Sequence, residues 1–406
     1  MSQQPTIPQE IIDFHIISKL SQDLPALRAC ALVCRAWRIP AQNRLFFHVE
    51  LGCPLDSDKS NCDDFRRVLV YSPHLASYVR VLDLADGMGS RKWMTRSKQH
   101  LSAILPQLVN LIKIEVRFNS IETSWSDIST LQDPLRRLFQ HPHVERILLR
   151  GLSKLPDWDA LFGMLTGCRA GHVRLYHVTL DPRTRSSRRR NGPAVRRPKC
   201  TIGTLDVNLT ADEMEDFAFW ANNPRSCMDI SGLRRFCYYG LEVGEFAACN
   251  NVLNAAAFSS LDTFELRIED PYTYITTPNF VPLAIGRLRH FQITLEDTFE
   301  SRAIVLCNLV QWCTRLFENT GPNTIEVVTL SFAQWATEHR DLDQQLAEWN
   351  ALDAMLLRPH MHALRHVTLV SDSEFAHDRR AAQAFLGSRV ADMFPLLRAR
   401  GILRVV

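Results

Sequence analysis

The sequence predicts an α/β chain: a short helical unit followed by an irregular solenoid with a parallel sheet. Three observations carry this. Short alternating strands recur from residue 79 to the last residue; taking Leu84, Val116, Leu149, Val178 and Val207 as equivalent gives intervals of 32, 33, 29 and 29 residues. Helical patterns separate most of these strands, and a strand–helix period near 30 residues marks a parallel-sheet solenoid. The first stretch, Thr6 to Leu51, instead reads as three short helices with more apolar surface than so small a piece can bury alone.

Pro8 suits a first helical position, where no backbone donor is needed. Glu10 follows in the first turn, where the helix dipole favours a carboxylate. Ile12, Ile16 and Leu20 form one apolar row, and Ile7, Ile11 and Phe14 form a second. A surface helix ordinarily carries one stripe, so two rows imply two packing partners. Asp23 is an N-cap candidate before Leu24-Pro25. Beyond it Leu27, Cys30, Cys34 and Trp37 share a face, while Leu24, Leu32 and Val33 lie elsewhere around the helix. Leu45 to Leu51 is a third apolar run that closes the unit. By periodicity alone the unit is equally a cap on the rest of the chain or a partner-binding module.

Three blocks in order, Ile7-Pro8-Gln9-Glu10-Ile11-Ile12, Leu32-Val33-Cys34-Arg35-Ala36-Trp37 and Leu45-Phe46, resemble an F-box. With Ser72-Pro73-His74-Leu75-Ala76-Ser77-Tyr78-Val79-Arg80 downstream, the chain is similar to the F-box proteins of mushroom-forming fungi, although Ile7-Pro8 stands where that family usually has Leu-Pro. The resemblance implies a three-helix F-box that binds the Skp adaptor, and through it a cullin, in a ubiquitin ligase. Matched position by position, the implied adaptor contacts are Ile7, Pro8, Glu10, Ile11, Leu32, Val33, Cys34, Arg35, Trp37 and Leu45. The expected domains are an F-box over 1–52, a linker and connecting helix over 53–78, and an α/β solenoid over 79–406.

Asp56 to Asp64 is polar and reads as a loop, and Phe65 to Val79 has helical spacing. Strands are expected at Val79–Leu84, Ile112–Phe118, Glu145–Arg150, Val173–Leu180, Thr204–Leu209, Arg235–Leu241, Thr263–Ile268, His290–Leu295, Glu326–Phe332, His366–Val370 and Ile402–Val406. Helical patterns lie at His100–Leu111, Leu131–Phe139, Ala160–Leu165, Ala211–Trp220, Arg302–Phe317, Asp341–Leu357 and Arg379–Leu396. Leu108-Val109-Asn110-Leu111-Ile112-Lys113-Ile114 and Leu364-Arg365-His366-Val367-Thr368-Leu369 are loose echoes of a leucine-rich repeat; the strict consensus with its Asn ladder is absent. The competing architecture is a doubly wound sheet. It is disfavoured because no Gly-rich strand-to-helix loop is present and about eleven strands is many for an open sheet.

Alternation gives each strand two faces. Glu115 and Arg117, Arg146 and Arg150, Asp206 and Asn208, Glu265 and Arg267, and Gln292 and Thr294 oppose apolar neighbours. Stacked in a solenoid, these residues would line one concave surface, the expected place for a protein target.

The segment 181–199 carries Arg183, Arg185, Arg188, Arg189, Arg190, Arg196, Arg197 and Lys199 among three prolines and a glycine. It reads as a long loop: a solvated insertion, a nuclear localisation signal or nucleic-acid patch, or a site for acidic or phosphorylated partners. The net charge of +3 argues against a whole-protein nucleic-acid or membrane field. No apolar run is long enough to span a bilayer and no signal peptide is visible. The 11 scattered cysteines fit reduced thiols, so a cytoplasmic or nuclear protein is expected.

No phosphate-binding loop, HExxH or nucleophile elbow occurs. The histidines at 141 and 143 cluster, as do those at 360, 362 and 366; Pro359-His360-Met361-His362 reads as a connecting loop between a helix and a strand, and Cys30, Cys34, Cys307 and Cys313 as core. The expectation is therefore a non-enzymatic substrate receptor, with no cofactor or metal, that holds an unidentified protein target. The alternative is a non-degradative binding scaffold with a helical N-terminal cap.

Overall fold

Where apolar and polar residues alternate, the chain is extended and parallel to its neighbour. The computed structural model describes residues 8–20, 23–52, 60–85, 93–118, 125–183, 202–240, 243–268, 282–295, 302–332, 342–371 and 387–406. The chain divides into two compact units, 1–190 and 191–406. The break falls inside the basic segment, of which only Asp181–Arg183 are among the described residues.

The first unit carries β1 (His48–Gly52), β2 (Val81–Ala85), β3 (Lys113–Arg117), β4 (Arg146–Arg150) and β5 (His172–Tyr176). Each pairs in parallel with the next. The second unit carries β6 (Thr204–Asn208), β7 (Arg235–Gly240), β8 (Thr263–Ile268), β9 (His290–Leu295), β10 (Val327–Phe332), β11 (His366–Ser371) and β12 (Leu403–Val405). They too pair in parallel and in sequence order. Within neither unit does the order reverse, which excludes a doubly wound sheet there.

Backbone bonds just before the strands link successive rungs. In the first unit the carbonyls of Phe47, Arg80, Ile112 and Glu145 accept in turn from the amides of Arg80, Ile112, Glu145 and His172. In the second, Gly203, Arg234, Asp262, Arg289 and Glu326 accept from Arg234, Asp262, Arg289, Glu326 and Arg365. One donor and one acceptor per turn are thus satisfied by a solenoid-like climb.

The inward residues stack in register. Leu82, Ile114, Ile147 and Val173 form one buried row. In the second unit Phe236, Phe264 and Phe291 sit abreast, with centroids 6.0 and 6.1 Å apart. Stacked aromatic pairs contribute about 1 kcal/mol each beyond their buried area.

The N-terminal helices depart from expectation in three ways. Residues Ile11–Ile16 form a π-helical turn and Ile17–Leu20 a 3-10 turn. The wide turn buries Ile12 with Ile17, five residues on, and leaves Ile16 half-buried. The expected second helix is two: α1 (Leu24–Val33) and α2 (Arg35–Leu45), separated by an extended Cys34 at φ −159° and ψ 172°. The break lets both helices face one cluster, Ile12, Ile17, Leu27, Cys30 and Ala41, with Trp37 and Leu45 packed against it. It also exposes Cys34, instead of placing it in the core with Cys30. Finally, residues 48–52 are strand β1 rather than helix. Val49 and Leu51 are buried between the exposed His48 and Glu50, a period of two inside the apolar run.

Pro40 lies inside α2 and cannot donate to the Ala36 carbonyl. The Gln9 side-chain amide donates there instead at 3.1 Å, and to Asp13 Oδ1 at 2.8 Å.

Candidate protein-binding surfaces

The corner between α1 and α2 is the most exposed apolar part of the N-terminal helices. Leu32 is 82% and Val33 68% exposed, beside exposed Cys34 and Arg35. The corner is solvated because the two helices turn back there to share a core on their other sides. Pro8, Glu10 and Ile11 are also exposed, on the first helical segment. Trp37 and Leu45 are half-buried against the cluster, and Ile7 lies outside the described residues.

Leu24, Ile39 and Phe47, which the sequence reading does not single out as contacts, are exposed too. Ile39 and Phe47 border a groove of about 560 Å³ with Asp13, Ile17, Arg35 and Arg80. Ile39 gives little signal, because α2 is polar and no second apolar residue marks that face.

The outward face of the first unit's sheet has a definite charge order. The register sets Asp83, Glu115, Leu148 and Arg174 side by side, with Lys113, Arg146 and His172 in one flanking row and Arg117, Arg150 and Tyr176 in the other. Glu115, Arg117, Arg146 and Arg150 therefore share one face.

On β1–β3 every acid has a partner. His48 Nε2 lies 2.9 Å from Asp83, and Lys113 Nζ 3.0 Å from Glu115. Arg117 reaches Glu115 and Glu50 at 3.3 Å and Asp83 at 3.6 Å. On β4 Arg146 and Arg150 are exposed, and their guanidinium groups meet no acid among the described residues.

The second unit's face is less open than the alternation implies. Asp206, Cys237, Glu265 and Gln292 lie abreast, but Asp206, Asn208, Glu265 and Thr294 are buried. Of the residues expected to line a target face here, only Arg267 and Gln292 retain partial exposure. At Glu265 and Thr294 the reason is local pairing. Arg235 and Arg267 both close on the Glu265 carboxylate. Arg267 also lies 5.0 Å from the Tyr239 ring centroid, and Gln292 Nε2 donates to Thr294 at 3.2 Å. Burial, then Glu265 and Asp206, push the Cys237 thiol well above its ordinary range, so it is no nucleophile at neutral pH.

Other candidate groups do not converge. His360 Nε2 faces the Phe317 carbonyl at 3.0 Å, and His366 lies 3.3 Å from an Arg404 nitrogen. The rings of His141 and His143 are 6.2 Å apart. Among the described residues no group of three or more His, Cys, Asp or Glu side chains is placed to hold a metal ion. Cys30 and Cys313 are buried as expected, and the Cys307 side chain lies outside the described residues. No described helix is long and apolar enough to cross a membrane. No protein-family model matches the chain, and no curated protein matches it either.

Proposed function

We propose that the chain is a substrate-receptor subunit of a Skp–cullin–F-box ubiquitin ligase. Its N-terminal helices dock on the Skp adaptor and its sheet faces recruit a protein target. The observation that carries this is the exposure of Leu32 and Val33 at the α1–α2 corner. Two adjacent large aliphatic side chains in water, beside exposed Cys34 and Arg35, are what a protein interface uses at its centre. The same four residues open the middle block of the F-box resemblance. The ligase chemistry then belongs to other subunits, and this chain supplies proximity between target and ubiquitin donor.

A second reading, a non-degradative scaffold with a helical cap, is favoured by the pairing of β1 with β2, which joins the N-terminal segment to the sheet. A cap alone gives Leu32 and Val33 nothing to do. Co-expression with a fungal Skp adaptor separates the two. The receptor reading expects a stable one-to-one complex that is lost on Ile11→Glu or Val33→Glu. Absence of a complex with the wild-type chain would sink it.

A further inference from the structure

On the first unit's sheet face β3 and β4 set cations against cations. Across the β3–β4 register Lys113 faces Arg146 and Arg117 faces Arg150, while across β4–β5 Arg146 faces His172, Leu148 faces Arg174 and Arg150 faces Tyr176. Like charges directly opposite on a sheet destabilise it. Lys113 and Arg117 are relieved by Glu115, Glu50 and Asp83. Arg146 and Arg150 have no such relief among the described residues. Both are exposed, with half-buried Leu148 midway between them on the same face.

The β4 backbone that presents them is tightly held. The Arg150 carbonyl accepts from the Phe118 amide at 2.8 Å. The following Gly151 turns at φ +76°, where a Cβ would stand 1.8 Å from the Phe118 oxygen. Only glycine lets the chain leave the strand there. The end of β4 is therefore fixed beside β3, and Arg150 projects from a defined point.

We propose that β4 reads an extended acidic peptide, with carboxylates at positions i and i+4 on Arg146 and Arg150 and an apolar side chain at i+2 on Leu148. The spacing is the argument. Four residues of strand span about 13 Å, and an extended peptide lying along β4 repeats that interval between its own i and i+4 side chains. Each carboxylate meets a guanidinium whose fork it matches, at two arginines that meet a cation on the β3 side and no acid among the described residues. This names a ligand class for the target face of the proposed receptor and rests on that reading.

The test is fluorescence anisotropy on the full chain, without adaptor. The probe is a fluorescein-labelled peptide of sequence Gly-Ser-Asp-Ser-Leu-Ser-Asp-Ser-Gly. Its comparators are the same composition with the two acids adjacent, and a single-stranded RNA nonamer. The spaced peptide is expected to bind best and to weaken as salt rises. Arg146→Ala and Arg150→Ala should each weaken it roughly tenfold or more, and Arg136→Ala, on the exposed side of the helix Gln132–Phe139, should leave it unchanged. Both β4 side chains are solvated, so unchanged thermal melts will show that these variants fold. Equal binding of the adjacent-acid peptide, tighter binding of the RNA, or indifference to both β4 arginines would overturn the proposal. A chain that binds the Skp adaptor but not the spaced peptide overturns this inference alone.

Discussion

Asp353 should be the costliest polar side chain to remove from the second unit. It sits on the helix Leu342–Leu356, fully buried. Its two carboxylate oxygens accept the amides of Leu396 at 2.7 Å and Leu397 at 2.9 Å. These are first-turn amides of the helix Pro395–Ala399, where the helix itself offers no acceptor. A hydrogen bond to a charged group contributes about 1.5–3 kcal/mol. Leu396 is half exposed and its amide regains some water, whereas Leu397 is buried. Asp353→Ala should therefore cost about 3 kcal/mol, and Asp353→Asn, which keeps one acceptor, about half of that. Urea unfolding gives the total, and amide exchange at Leu397 gives the local loss.

The pH dependence arises from burial, which raises the Asp353 pKa despite the two amides. Between its unfolded and folded pKa values the folded chain binds more protons than the unfolded one. The contribution is thus fully present below the unfolded pKa and lost as pH rises through the folded one. Wild type should gain on Asp353→Asn as pH is lowered from neutrality towards 4. An alanine variant as stable as wild type, with unchanged exchange at Leu397, would refute the reasoning.

Three further outcomes are expected. Leu32→Ala combined with Val33→Ala should leave chain stability within about 0.5 kcal/mol of wild type, because both are exposed. The same pair should weaken adaptor binding by about 3 kcal/mol, near a hundredfold, measured by calorimetry. Gln9→Ala should cost about 1 kcal/mol in thermal or urea melts, and nearly nothing in a Pro40→Ala background, where the restored amide serves the Ala36 carbonyl itself. Arg267→Ala leaves the fully buried Glu265 with Arg235 as its one ion-pair partner, besides a 3.4 Å bond from the Gln292 amide, and should cost about 2–3 kcal/mol in urea unfolding, part of which a lysine recovers.

The strand array is legible because each rung buries two alternating residues. Ile114 and Val116, or Leu266 and Ile268, write that period into the sequence. Two kinds of feature are not legible. The break at Cys34 is set by packing of α1 and α2 on one cluster, a tertiary demand that overrides a helical pattern running through to Trp37. The burial of Glu265 depends on neighbouring side chains; alternation says which face a residue takes, not whether Arg235 and Arg267 will close over it. At the N-terminus periodicity shows two apolar rows, but the wide turn moves the buried one to Ile12 and Ile17.

The central claim, that the α1–α2 corner is the adaptor surface, is tested most directly by alkylation of Cys34 with iodoacetamide, quantified peptide by peptide. In the free chain Cys34 is exposed, while Cys30 and Cys62 are buried and the Cys62 thiol is pushed up to about 12 by burial and by Asp63. With a saturating Skp adaptor the account predicts that Cys34 becomes protected while Cys30 and Cys62 stay unreactive throughout. Alkylation of Cys34 at the same rate with and without the adaptor would contradict it.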